Sequence, residues 1–476
     1  MDFGCFFSDG GVIRISKLGV NKLGLNNKLI TVVGLSKRTG VEAVKFLLKK
    51  GAEVIATDVK SASELSEELE ALSDYEVTYN LGGHDPQLIL ESELIVISPG
   101  VPIGISILEK ARAQGIEVIS EIELAYRFSK APILAVTGTN GKTTTTTLLG
   151  EIFAKIKRTS VVGGNIGRAL IKDLPQLEST GIAIAEVSSF QLEGVKKFSP
   201  YISLVLNITP DHLKRHGDFS TYQQMKRRLV AAQRKDDYAV LNYDDQLVRE
   251  FSEHTKAEVI YFSRQEELER GVFLQGDRII STLENKKEEI IPIKDVAVEG
   301  PHNIENVLGA LTSSLVAGVD KKVIKEVLEE FRGVEHRIEE VEIIDGVRYI
   351  NDSKATNPVS AIKALKTFSK PIILIGGGMD KESDFAEWAQ LINNKVKELI
   401  LLGETAEKIK NEVEKLGYAN IHQVANIKQA VDKAFELAKS GEVVLLSPGC
   451  ASWDMFDSYK ERGRLFREAV KELRRG

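Results

Sequence analysis

Residues 133–149 read ILAVTGTNGKTTTTTLL. The apolar run 133–136 has the length and composition of a buried parallel strand. Gly138, Asn140 and Gly141 then force a turn, and Lys142 with the threonines after it opens a helix carrying Leu148 and Leu149. A strand, a glycine turn and a helix N-terminus that begins Lys-Thr make a phosphate cradle. Backbone N–H groups and the positive end of the helix dipole face the anion. Lys142 can reach terminal phosphates and the Thr143 hydroxyl can ligate Mg²⁺. The spacing is the tight G-x-x-G-K-T, because Val136 stands where the longer form of the motif has a glycine.

Working outward from this loop, the chain before it opens with a second βαβ pattern. LITVVG at 29–34 reads as a strand, VEAVKFLLKKG as an amphipathic helix and EVIATD as a strand ending in Asp58. Further strands are predicted at 94–97 and 117–119, a helix at 105–114, and another at 120–129 leading into the phosphate-loop domain. The turn SPGVP at 98–102 falls at a strand's carboxyl end, where ligands bind in open α/β sheets. A dinucleotide-dependent oxidoreductase would need a second glycine where Ser36 stands, which weakens that reading. Residues 1–27 lack a clear period and read as an extension or hairpin.

After the loop, SVVGG, IAIAEV, ISLVLNI and YAVLN read as strands, 272–293 as a hairpin-like region, and two helices follow. The pattern restarts near Gly333 with RIEEVEII, VRYIND, PIILIGGG, KELILLG and EVVLLSP. The fold class is therefore α/β with three domains. They are a Rossmann-like N-terminal domain at 1–120, a central P-loop-type ATP-binding domain at 121–333 and a C-terminal Rossmann-like domain at 334–476.

Composition fits this picture. Of 476 residues, 43% are hydrophobic and 28% charged, as in a globular protein with several cores. A net charge of −6 gives no reason to expect a nucleic-acid or membrane-surface binder. The cysteines, Cys5 and Cys450, show no metal-ligand spacing and suit a reducing, cytoplasmic setting. No apolar run approaches the roughly 20 residues of a membrane span, and the N-terminus does not read as a secretory signal.

Several residues are placed for chemistry. Glu186 ends a strand beside the predicted phosphate site, where a nucleotide-bound Mg²⁺ needs a carboxylate. Asp211 and His212 follow the next strand, and a neutral imidazole can ligate a metal. Lys226, Arg227 and Arg228 read by periodicity alone as a solvated basic face. Arg337 precedes a strand and could clamp phosphate. NDSKATNP at 351–358, GGGMDK at 376–381 and the run 447–463 each follow a strand, so three loops converge at one sheet edge and suggest a small anionic substrate.

TGTNGKTT at 137–144, GGNIG at 163–167, EVSSFQLE at 186–193, DHLKRHG at 211–217 and GPHNIEN at 300–306 together resemble the Mur ligase family. EHR at 335–337, NDSKATN at 351–357, GGGMDK and SPGCASWDMF at 447–456 extend the likeness, toward the D-glutamate-adding branch. The resemblance implies an ATP-dependent amide ligase of peptidoglycan precursor synthesis acting through an acyl-phosphate. It implies ATP contacts from Gly138, Thr139, Asn140, Gly141, Lys142, Thr143, Thr144, Asn303, Asn306, Arg337 and Asp352, with Lys354 in an active-site loop. It also implies Mg²⁺, two ions, on Thr143, Glu186, His212 and Lys226, the last as its anionic CO₂ adduct. Ser36, Thr39, Asp58, Lys60, Ser98, Pro99, Gly100, Asn165 and Gln191 correspond to the nucleotide-sugar site for UDP-N-acetylmuramoyl-L-alanine. Thr356, Lys381, Ser452 and Tyr459 correspond to the D-glutamate pocket, with tyrosine at 459 in place of phenylalanine. The loop GLSKRTG at 34–40 departs from the family's glycine turn, although Lys37 and Arg38 suit a diphosphate. Small-molecule substrates, no nucleic-acid or membrane partner, and a monomer complete the expectation.

Overall fold

A computed structural model describes residues 24–475, apart from 285, 299, 381 and 382. The N-terminal extension, with Cys5, and Lys381 therefore lie outside the described residues. The chain divides into two compact units, one ending at Phe331 and the other beginning at Arg332.

The first unit holds two sheets. The first sheet contains β1 (Leu29–Val33), β2 (Glu53–Asp58), β3 (Thr78–Leu81), β4 (Leu94–Ile97) and β5 (Glu117–Ser120), in the order β3-β2-β1-β4-β5. All its pairings are parallel. Strand order reverses at β1, so the loops after β1 and β4 flank the switch point where open α/β sheets take ligands. β1 and β4 are nearly continuous aliphatic runs, as strands covered on both faces are.

The second sheet contains β6 (Ile133–Thr137), β7 (Ser160–Gly164), β8 (Ile182–Glu186), β9 (Ile202–Val205), β10 (Tyr238–Asn242), β11 (Glu258–Ser263), β12 (Gly271–Gln275), β13 (Arg278–Ser281) and β14 (Glu288–Pro292). Its order is β14-β13-β12-β11-β10-β9-β6-β8-β7. From β7 to β12 the pairs are parallel, while β12 to β14 form the antiparallel meander expected at 272–293. β6 lies between β8 and β9. The helices Lys142–Ala154 and Pro301–Val316 share one core with this sheet, through Leu148, Leu149, Ile152 and Phe153 of the first and Ile304, Val307, Leu308 and Leu311 of the second.

The second unit has one six-stranded sheet: β15 (Glu339–Ile344), β16 (Val347–Asn351), β17 (Ile372–Gly376), β18 (Val396–Leu401), β19 (Ile421–Gln423) and β20 (Val443–Leu446), ordered β15-β16-β20-β17-β18-β19. β15 and β16 form an antiparallel hairpin around Asp345 and Gly346, both at positive φ, the Asp-Gly turn that matches strand twist. The other pairs are parallel. β16, β20 and β17 are neighbours, so the loops following them share one edge.

Three strands had no counterpart in the sequence reading. β3 and β19 are short edge strands with no fully buried position, so neither shows an apolar run. β11 interleaves partly exposed residues with buried ones.

Candidate active site

The loop after β6 is held from several sides. Gly138 and Gly141 take positive φ, and Gly141 is the left-handed residue before the Lys142–Ala154 helix. The Thr139 N–H donates to the Asn207 carbonyl and the Asn140 N–H to Asn207 Oδ1, both at 2.8 Å. Thr139 Oγ1 accepts from the Thr209 N–H at 3.0 Å and is hydrogen-bonded to the Tyr222 hydroxyl at 3.0 Å. A Cβ on Gly141 would overlap Asn306 Oδ1, so the loop and the Pro301–Val316 helix are in direct contact there. Thr143 is buried, Thr144 and Asn303 are half-buried and Asn306 is buried.

Lys142 folds back over the loop, donating to the carbonyls of Gly138 at 2.8 Å and Thr139 at 2.9 Å. Lys226 Nζ also donates to the Gly138 carbonyl, at 2.8 Å. The helix Phe219–Ala231, capped by Asp218, carries Tyr222, Lys226 and Leu229 on its buried face. Lys226 is only 1% exposed and its ammonium lies 4.9 Å from the Tyr222 ring centre. The basic face expected from periodicity is thus wrong for Lys226, because it sits four residues after Tyr222 and three before Leu229 on one stripe. Burial, then the charge of Lys142, push its ammonium well below the usual lysine range; Asp211 and Glu186 oppose this.

Register sets Glu186 of β8 opposite Val136 of β6, one residue before the loop begins to turn. Its Oε1 accepts from Asn165 Nδ2 at 2.7 Å, whereas Oε2 is buried with no protein partner. An orphan anionic oxygen beside an anion-binding loop suits a cation. Among the described residues no group of three or more His, Cys, Asp or Glu side chains could hold a metal. Mg²⁺ commonly completes its shell with phosphate oxygens and water rather than with a protein cage, so the residues present fit it. His212 has φ of 53° and packs against Phe190, with ring centres 4.9 Å apart.

Loops of the first sheet meet this region. Arg38 donates to the Asn165 carbonyl at 2.9 Å. Ser36 Oγ and Thr39 Oγ1 are hydrogen-bonded at 2.6 Å, and Thr39 Oγ1 donates to Ser98 Oγ at 3.4 Å. Ser98 Oγ in turn donates to the Gly34 carbonyl at 2.6 Å. Asp58 accepts from the Leu35 N–H at 2.8 Å and the Lys60 N–H at 3.0 Å, which shapes the variant loop from its far side. Lys37 pairs with Glu67. Pro99 is half-buried, while Gly100 and Lys60 are exposed. Gln191 is buried in a capping box with Ser188, and its Nε2 is a second orphan. Arg215 donates to the carbonyls of Gly100 and Val101 and pairs with Glu193. Phe190, Glu193 and Arg215 lie within the runs 186–193 and 211–217 that carry the family resemblance, but residue type and spacing assign no role to them or to Tyr222.

In the second unit, Asp352 opens the loop after β16. It accepts from Ser447 Oγ at 2.8 Å and from the Ile338 N–H at 3.2 Å, so it anchors the turn bearing Arg337. Burial raises its pKa to about 7 against the pull of Ser447 and Arg337. Arg337 is half-buried between His336 and Ile338, both at positive φ. The loops after β16, β20 and β17 are fastened together. Arg462 donates to Ser353 Oγ and to the carbonyls of Ser353, Cys450 and Ala451, and the Met379 N–H donates to the Ala451 carbonyl at 3.0 Å. Lys354 and Thr356 are half-buried on these loops and Ser452 is buried, while the half-buried Tyr459 begins the helix Tyr459–Glu472.

Comparison with known proteins agrees with this geometry. Three family descriptions match in succession: "Mur ligase MurD-like, N-terminal domain" at 28–120, "Mur ligase middle domain" at 136–314 and "Mur ligase, glutamate ligase domain" at 336–450. The chain is 45% identical to the UDP-N-acetylmuramoylalanine--D-glutamate ligase of Alkaliphilus oremlandii, over 95% of this chain and 100% of that one. It is 42% identical to the protein of that name from Clostridioides difficile, with the same coverage. Its fold is similar to that of UDP-N-acetylmuramate-alanine ligase from Thermotoga maritima, with a TM-score of 0.55 at 17% identity, covering 94% of this chain and all of that one. The chain belongs to the Mur ligase family.

Proposed function

We propose that this protein joins D-glutamate to UDP-N-acetylmuramoyl-L-alanine at the expense of ATP, in the synthesis of peptidoglycan precursors. The observation that carries the proposal is the phosphate loop whose Gly138 carbonyl holds both Lys142 and the buried Lys226, beside the orphan oxygen of Glu186. The names of relatives 42% to 46% identical along the chain support D-glutamate as the acceptor.

In this reading the loop N–H groups of 138–144, with Lys142, bind the ATP phosphates, and Asn303, Asn306, Arg337 and Asp352 serve the nucleotide. The L-alanyl carboxylate attacks the γ-phosphorus, the bond to the bridging oxygen breaks and ADP leaves. Lys142 and Arg337 offset charge spreading over the phosphoryl oxygens. The amine of D-glutamate then attacks the acyl-phosphate carbon, a proton is lost and inorganic phosphate departs. Ser36, Thr39, Asp58, Lys60, Ser98, Pro99, Gly100, Asn165 and Gln191 serve the nucleotide sugar. Lys354 belongs to the loop facing the reaction, and Thr356, Lys381, Ser452 and Tyr459 to the D-glutamate pocket.

Mg²⁺, two ions, on Thr143, Glu186, His212 and Lys226 would supply charge neutralisation at the phosphates. Lys226 could join them only as an anion. Its burial next to Lys142 favours the neutral amine, which can add CO₂ and lose a proton to give a carbamate. No helix among the described residues is long and apolar enough to cross a membrane; we place the enzyme in the cytoplasm, as a monomer. The three segments 1–120, 121–333 and 334–476 serve nucleotide sugar, ATP and amino acid in turn.

The test supplies UDP-N-acetylmuramoyl-L-alanine and ATP with D-glutamate, L-lysine or diaminopimelate in separate reactions, and reads product mass. An amide product with D-glutamate alone is expected. A product with another amino acid and none with D-glutamate overturns the proposal.

A further inference from the structure

The guanidinium of Arg215 joins three segments of the first unit: its own short helix Leu213–His216, the helix Ser189–Glu193 and the loop 98–101. Its Nε and Nη2 donate to the two carboxylate oxygens of Glu193 at 3.1 and 2.8 Å. Nη1 donates to the Gly100 carbonyl at 3.1 Å and Nη2 to the Val101 carbonyl at 2.6 Å. Its plane lies over the Phe190 ring, 5.2 Å from the centre, and that ring also packs against His212 and His216. Only 18% of the Arg215 side chain is exposed and 6% of Glu193, so these are shielded, charge-assisted bonds in a fork that lysine cannot reproduce.

Holding the two sheets together does not require this clasp. Glu123 accepts from the N–H groups of Lys196, Lys197 and Phe198, while Arg127 links it to Glu117. Glu121 accepts from the Ile171 N–H, and Lys172 pairs with Glu42. What Arg215 adds is local: it supplies donors to two carbonyls of the 98–101 loop and ties them to the segment carrying His212. The phosphate loop is held by Asn207, Thr209, Tyr222, Lys142 and Lys226, whereas the hydrogen bonds of Arg215 go to Glu193, Gly100 and Val101.

We infer that Arg215 is a positioning residue for the nucleotide-sugar substrate, setting the 98–101 loop relative to His212 through Glu193 and Phe190. The inference rests on the nucleotide-sugar site proposed above.

The separation of the two anchorages gives the test. Arg215→Ala should raise the KM for UDP-N-acetylmuramoyl-L-alanine at least about tenfold while the KM for ATP stays within about twofold. Arg215→Lys should recover part of the loss, and Glu193→Gln, which keeps the volume but removes the charge that aims the guanidinium, should shift the same KM by a smaller factor. Calorimetric binding of the nucleotide sugar without ATP gives the same comparison independently of turnover, using Glu193→Gln if the alanine variant fails to fold. Equal changes in both KM values, or unchanged sugar binding in Glu193→Gln and Arg215→Lys, overturn the inference. Wild-type protein that binds the nucleotide sugar but forms no D-glutamyl product would instead sink the proposed reaction and leave Arg215's role standing.

Discussion

Lys142 and Lys226 both donate to the carbonyl oxygen of Gly138, each at 2.8 Å. Burial and the charge of Lys142 favour the neutral amine at Lys226, against the pull of Asp211 and Glu186. A carbamate there would carry negative charge, and Lys142 is the cation nearest the phosphates in the proposed reaction. Replacing Lys142 with methionine should reduce ADP release in the ligation assay by about 10²- to 10³-fold, the usual consequence of losing one donor to a transition-state oxyanion. Circular dichroism should remain that of the wild type.

The state of Lys226 can be read directly. Protein equilibrated with ¹³C-bicarbonate should show a carbamate carbon resonance that is absent from Lys226→Arg, whose guanidinium cannot form the adduct. The same variant should lose activity, because a fixed cation would then occupy a place that calls for an anion.

Glu121 is fully buried, accepts one N–H from Ile171 and leaves its second oxygen unpaired. Burial raises its pKa from 4.5 to about 7. Between these values the folded state holds a proton that the unfolded chain has released, so stability from this group falls as pH rises through that window and levels off above it. Glu121→Gln should flatten that slope. Its stability relative to wild type should improve by on the order of 3 kcal/mol from pH 4 to pH 8, read as the difference in urea midpoints.

Gly141→Ala should be damaging although it adds one methyl group. The residue has φ of 82° and a Cβ there would collide with Asn306. The left-handed conformation alone costs about 1–2 kcal/mol, and displacing Asn306 should raise the KM for ATP. A lower Tm with unchanged ATP binding would contradict this reading of the loop.

Much of this was legible in the chain. Long aliphatic strands at 29–33, 94–97, 133–137 and 182–186 announce a parallel sheet, and the glycines and lysine after 137 announce the cradle, because both depend on local sequence. Edge strands such as Thr78–Leu81 did not, since half-exposed residues leave no run to read. By periodicity alone Lys226 reads as part of a basic surface, and only the family resemblance singles it out; packing turns it inward. Arg215 and Glu193 lie 22 positions apart, and nothing in either segment tells of the salt bridge that the second sheet's topology creates.

The contact between Gly141 and Asn306 bears on how this nucleotide-binding element can be inherited or engineered. The cradle is a matched pair of segments, far apart along the chain, whose shapes interlock through a missing methyl and an amide oxygen. Transplanting the glycine-rich segment alone into a foreign scaffold would leave it without its mate. A successful graft must carry the start of the Pro301–Val316 helix as well, and natural recombination that parts the two should yield chains unable to hold a triphosphate.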